Sequence, residues 1–97
     1  MKTDETHLLR SLCAIENPDE MRRVLGDLLT RSEYNALLKR WSILCLLRDG
    51  VSQRETARRI GGSLCNVTRG ARLLRNTSCA SAALMARLEQ NPPDHPT

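Results

Sequence analysis

Residues 52–74 read SQRETARRIGGSLCNVTRGARLL. Ser52 and Glu55 stand at the S-x-x-E spacing of a capping box, which starts a helix at about Gln53 and carries it to Ile60. Gly61 can take the positive φ of a tight turn, Ser63 caps the next helix, and that helix runs from about Leu64 to Leu74. Thr56, Ile60, Leu64 and Val67 are expected to fill the seam, with Ala57 small enough for a close crossing. Two helices joined in this way over about residues 52–75 form a helix-turn-helix. Gly70 interrupts the pattern. A glycine inside a helix costs about 1 kcal/mol relative to alanine, and the motif asks for a buried Ile or Val there. Either two helices cross closely at Gly70, or a slot lies beneath the helix for a flat ligand whose carboxylate pairs with the adjacent Arg69. On the slot reading, Gly70→Val should leave the fold intact.

Working outward, the remaining sequence supplies four more helices and no strand signal. A first helix spans roughly Asp4 to Ile15. It must end before Asn17-Pro18-Asp19-Glu20, an N-cap, a proline at the first helical position and two acids in the first turn. Met21, Val24, Leu25, Leu28 and Leu29 then make one apolar face. Thr30 or Ser32 caps a third helix, in which Leu37, Leu38, Trp41, Ile43, Leu44, Cys45, Leu46 and Leu47 make the C-terminal half apolar on nearly every side. A chain of 97 residues is expected to be one domain, 1–97, and one of this size buries only roughly 60 to 65% of its unfolded surface. It cannot surround that helix alone, so a second subunit is expected to cover it. Asp49-Gly50 ends the third helix, Ala80 to Leu88 forms a sixth, and residues 91–97 make a flexible tail.

Fifteen Lys and Arg against eleven Asp and Glu give a net charge of +4, with arginines crowded between residues 48 and 75. That balance suits a polyanionic partner. Cys13, Cys45, Cys65 and Cys79 show no C-x-x-C pairing and are expected to be small core residues in a reducing compartment. His7 and His95 lie far apart in the sequence, so neither a metal set nor a catalytic nucleophile, base and orienter can be assembled, and an enzyme is not expected. MKTDETHLL is too poor in apolar residues for a signal peptide, and no run approaches a membrane span. A cytoplasmic protein without a membrane role is expected.

In a helix-turn-helix the second helix enters the major groove and the first crosses the backbone. Leu64, Cys65, Asn66 and Thr68 then face bases or flanking phosphates. Leu64 and Cys65 suit a thymine methyl, and Asn66 suits adenine or a phosphate. Arg54 at the start of the first helix, beside Gln53, is placed to bind guanine bidentately or to pair with a neighbouring carboxylate. Arg58, Arg59, Arg69, Arg72 and Arg75 supply phosphate partners.

SQRETARRIGGSLCNVTRG resembles the tryptophan repressor family, whose signature runs S-Q-R-E, a glycine-containing turn and T-R-G, and KRWSILCLLRDG resembles that family's long central helix. The resemblance covers about residues 27 to 75. It implies an all-α, six-helix subunit intertwined with a second in a homodimer, and a repressor of near-palindromic operator DNA controlled by L-tryptophan or an indole derivative as corepressor. Residue by residue, it implies that Thr30 and Arg69 hold the ligand carboxylate, Arg40 stacks on the ring and Gly70 leaves room for it. Backbone carbonyls near Asp27 and Leu29 would face the amino group. This sequence departs from the family at three places. The Asp49-Gly50-Val51 loop is one residue shorter than in the best-known repressor, Leu73 stands for a serine near the ligand, and Asn66 stands for a threonine. Two alternatives are kept: a regulator of the same family that needs no ligand, its slot plugged by Leu73, and a basic helical module that docks an acidic protein.

Overall fold

Asp4 accepts the backbone N–H of His7 at 2.9 Å and opens α1, Glu5–Cys13. The helix stops short of Ile15 because its last turn tightens, the N–H groups of Ala14 and Ile15 reaching back three residues to Ser11 and Leu12. Asn17 opens α2, Pro18–Leu28, by accepting the N–H of Glu20 at 2.8 Å. At α3, Arg31–Arg48, the cap is Thr30. Its hydroxyl accepts the N–H of Glu33 at 3.1 Å, and the Glu33 carboxylate accepts the N–H of Thr30 at 2.8 Å, a reciprocal capping box. The helix ends where Gly50, at φ +90°, donates to the Leu47 carbonyl and Val51 donates to Leu46, which is the Schellman closure that glycine permits.

Ser52 opens α4, Gln53–Ile60, by accepting the N–H of Glu55 at 3.1 Å. Only this half of the expected box forms, since the Glu55 carboxylate is held by Arg58. The remaining helices are α5, Leu64–Arg75, and α6, Ala80–Gln90, which runs two residues past Leu88. The structure, a computed structural model, describes residues 4–62 and 64–90. Among them there is no strand, and the chain is all-α. The expected cap Ser63 and the expected tail 91–97 lie outside the described residues.

The helices group into two compact units, one up to Leu37 and one from Leu38. In the first unit α1 and α2 bury no residue, and Leu8, Leu9, Leu28 and Leu37 stand exposed. The second unit holds the core: Ile43 and Leu44 of α3, Thr56 of α4, Val67 and Gly70 of α5 and Met85 of α6. Arg48 pairs with Glu89 at the edge of a cleft of about 240 Å³ that Trp41, Cys45, Met85 and Leu88 line. Leu38, Trp41, Leu84 and Leu88 remain exposed, so this part of α3 is dry around Ile43 and Leu44, half-buried at Cys45, Leu46 and Leu47, and open to solvent at Leu38 and Trp41.

The cysteines correct the expectation that all are core residues. Cys45 and Cys79 are half-buried, and burial pushes the Cys45 thiol up. Cys13 and Cys65 are exposed, the first in a helix that buries nothing and the second on the outer face of α5.

Candidate nucleic-acid interface and ligand slot

The turn between α4 and α5 is made by Gly61, whose φ of 69° closes α4 with its N–H on the Ala57 carbonyl at 3.0 Å. Thr56 and Val67 are fully buried and form the centre of the seam. Ile60 is half-buried, and Leu64 does not belong to the seam at all: 58% exposed, it is the first residue of α5, at the seam's open end. An apolar residue left outward at the start of the second helix is what the groove-reading role asks for and the packing role does not.

At 3.6 residues per turn α5 divides into three stripes. Leu64, Cys65, Thr68, Arg69 and Arg72 share one face and line a shallow groove of about 320 Å³. Val67 and Gly70 point into the core. Asn66, Arg69, Gly70 and Leu73, at i, i+3, i+4 and i+7, make the third stripe and line a narrow slot of about 100 Å³ with Arg40, Ile43 and Leu44 of α3. Arg69 is the residue common to groove and slot. Asn66 thus shares its cavity with Arg40 and Gly70 rather than with Leu64 and Cys65. Its spacing from Gly70 carried that information in the sequence. Ile43 and Leu44, the aliphatic walls, were legible only as core.

On α4, Gln53, Arg54, Arg58 and Arg59 are all exposed. Glu55 binds Arg58 at 2.6 Å and lies 3.7 Å from Arg59. The hydrogen bond from Arg58 holds the Glu55 carboxyl below the usual carboxylate range and raises the guanidinium in turn. Arg54 makes no ion pair among the described residues, so its fork remains open to an external acceptor.

At Gly70 the two readings of the glycine meet. A Cβ there would stand 2.9 Å from Cγ2 of Ile43 and 3.5 Å from both Leu44 Cδ2 and Leu47 Cδ1, so α3 and α5 do cross closely. The slot is what remains beside the crossing. The expectation that Gly70→Val leaves the fold intact acquires a cost: a Cβ at 2.9 Å requires Ile43, which is buried and β-branched, to shift.

The other residues assigned to ligand lie in the first unit. Leu29 and Thr30 line a separate open cavity of about 450 Å³ with Arg22, Arg23, Arg31 and Tyr34. Asp27 is exposed at the end of α2 and is not among its walls. Among the described residues no group of three or more His, Cys, Asp or Glu is placed to hold a metal ion, and no helix is long and apolar enough to cross a membrane.

The profile of the Trp repressor protein family matches residues 4–89. The chain belongs to the Trp repressor family. Its relatives include the Trp operon repressor homolog of Xylella fastidiosa (strain M23), 39% identical over 72 residues, which are 73% of this chain and 78% of that protein. The homologs of strains Temecula1 / ATCC 700964 and 9a5c give the same values. No solved structure gives a significant match. The Trp repressor family is one of DNA-binding transcription regulators and is not enzymatic. The matched segment takes in the whole helix-turn-helix, the groove and the slot.

Proposed function

We propose that this chain is a homodimeric, sequence-specific repressor acting on DNA in the cytoplasm, and that an indole-type carboxylate such as L-tryptophan, seated in the slot beneath α5, sets its grip on the operator. The observation that carries the reading is the double placement of Arg69, which lines both the outer groove and the inner slot. A carboxylate bound by Arg69 from within fixes a guanidinium that also faces phosphate from without, so ligand and DNA act on one side chain. The outer groove, apolar at Leu64 and Cys65 and basic at Arg69 and Arg72, has the mixed chemistry that base edges and phosphates require. The exposed Leu37, Leu38, Trp41, Leu84 and Leu88 support a second subunit, because a lone chain leaves them in water.

Selection from a random duplex library, with and without L-tryptophan or indole-3-propionate, tests this reading. The expected product is a near-palindrome whose half-sites lie about 34 to 36 Å apart, enriched more strongly with ligand. Enrichment that ignores both ligands would favour the ligand-independent regulator, which has its own support: about 100 Å³ is less than the roughly 150 Å³ cavity known to take benzene, and Leu73 forms one wall. Binding to any polyanion, with no sequence enriched, would leave only the basic docking module.

A further inference from the structure

We propose that Asn66 selects the ligand by accepting its ring N–H, so that the slot takes flat heteroaromatic carboxylates bearing an N–H over carbocyclic or sulfur isosteres. The inference rests on the slot being a ligand site and deepens that reading. The walls are lopsided in hydrogen-bonding capacity. Arg40 and Arg69 are donors only. The rest of the lining beside Asn66 is aliphatic or glycine; the backbone carbonyls of the interior positions belong to the helix ladders, and that of Leu73, in the last turn of α5, accepts the N–H of Asn76 at 3.1 Å. The Asn66 Oδ1 is therefore the one side-chain acceptor among the residues that line the slot.

A ligand carboxylate is met by the Arg69 guanidinium, whereas a ligand ring N–H finds no side-chain acceptor in the lining other than Asn66, which stands exposed at the edge of the slot. The order along α5 fits this. Asn66 lies one turn before Gly70 and Leu73 nearly one turn after it, so a ring lying over the glycine has a polar end and an apolar end. An N–H at the Asn66 end and bare carbon at the Leu73 end match both.

The test is calorimetry on the full chain with two near-isosteric acids, indole-3-propionate and its benzothiophene counterpart, in which sulfur replaces N–H. The wild type should prefer the indole acid by about fivefold or more, the scale of one net hydrogen bond. Asn66→Leu should bind both acids alike, and Asn66→Ala, which adds helix propensity and removes the same acceptor, should repeat the result if the leucine variant folds poorly. Equal affinities in the wild type, or an indole preference that survives in both variants, would overturn the proposal while leaving the slot as a ligand site. Absence of binding by either acid to the wild type would overturn the slot reading and this proposal together.

Discussion

Replacing Gly70 with alanine sets two effects of similar size against each other. Alanine gains about 1 kcal/mol of helix propensity over glycine. Against this, its Cβ would arrive 2.9 Å from Cγ2 of Ile43, a side chain only 2% exposed and fixed at its branched Cβ, so relief requires moving a helix and not a rotamer. Overpacking of this kind costs about 1 to 3 kcal/mol, and the net is a loss of about 1 kcal/mol once propensity is credited. With a urea m-value near the lower end for small proteins, that moves the midpoint down by about 1 M. Circular dichroism at fixed protein concentration would read it. Ile43→Leu supplies the decisive background, because leucine has nearly the volume of isoleucine but no Cγ2. In that background Gly70→Ala should stabilise, by up to the same ~1 kcal/mol of propensity, giving a coupling of about 2 kcal/mol between the two sites. If Gly70→Ala stabilises the wild type, or if both backgrounds respond alike, the close crossing of α3 and α5 is refuted.

Leu73→Ser should raise affinity for L-tryptophan about fivefold, the worth of one hydrogen bond to the ammonium, and do little for indole-3-propionate; calorimetry giving equal changes would mean that Leu73 acts by bulk alone. Arg54→Ala should weaken the selected operator more than random duplex, whereas Arg58→Ala should weaken both alike, as measured by fluorescence anisotropy. Thr56 is fully buried and its Oγ1 has no hydrogen-bond partner among the described residues, so Thr56→Val should stabilise by about 1 kcal/mol in urea unfolding; a loss would reveal a bond to that hydroxyl. The Glu55 carboxyl is held down by Arg58, so its contribution to α4 is present above the usual carboxylate range and is lost as pH falls through the lowered value. Acid titration of helicity should show that loss in the wild type and not in Glu55→Gln.

Much of this architecture was legible because its signals are local. Asn17, Thr30 and Ser52 each satisfy a backbone N–H three residues on, and Gly50 and Gly61 take the positive φ that the helix ends require, so spacing alone locates the boundaries. Leu64 does not fill the seam, because periodicity reports that a residue is apolar and not how far its neighbours cover it; at the first position of α5 it stays 58% exposed. The reciprocal box at Ser52 failed for a related reason, since Glu55 had two arginines within its reach and spacing cannot rank competing partners. The glycine at 70 was recognised as a hole, but what fills it comes from Ile43, a residue 27 positions away in the sequence. Long-range packing of that kind has no periodic signature.

The pairing of Arg58 with Glu55 bears on how the protein searches a chromosome. Affinity for arbitrary duplex comes from counterions released as cationic side chains replace them along the phosphates, and its salt exponent grows with the number of such replacements. An arginine that arrives already neutralised by an internal carboxylate must give up that bond to gain a phosphate, and the carboxylate it leaves then faces the backbone it has just joined. Arg54, which has no such partner among the described residues, incurs no such exchange. If α4 lies along the phosphates as proposed, its surface should therefore be less adhesive toward random sequence than its arginine count implies. On the proposed reading its salt exponent should fall short of that count, dwell times at wrong sites should shorten, and a larger share of the discrimination should pass to α5.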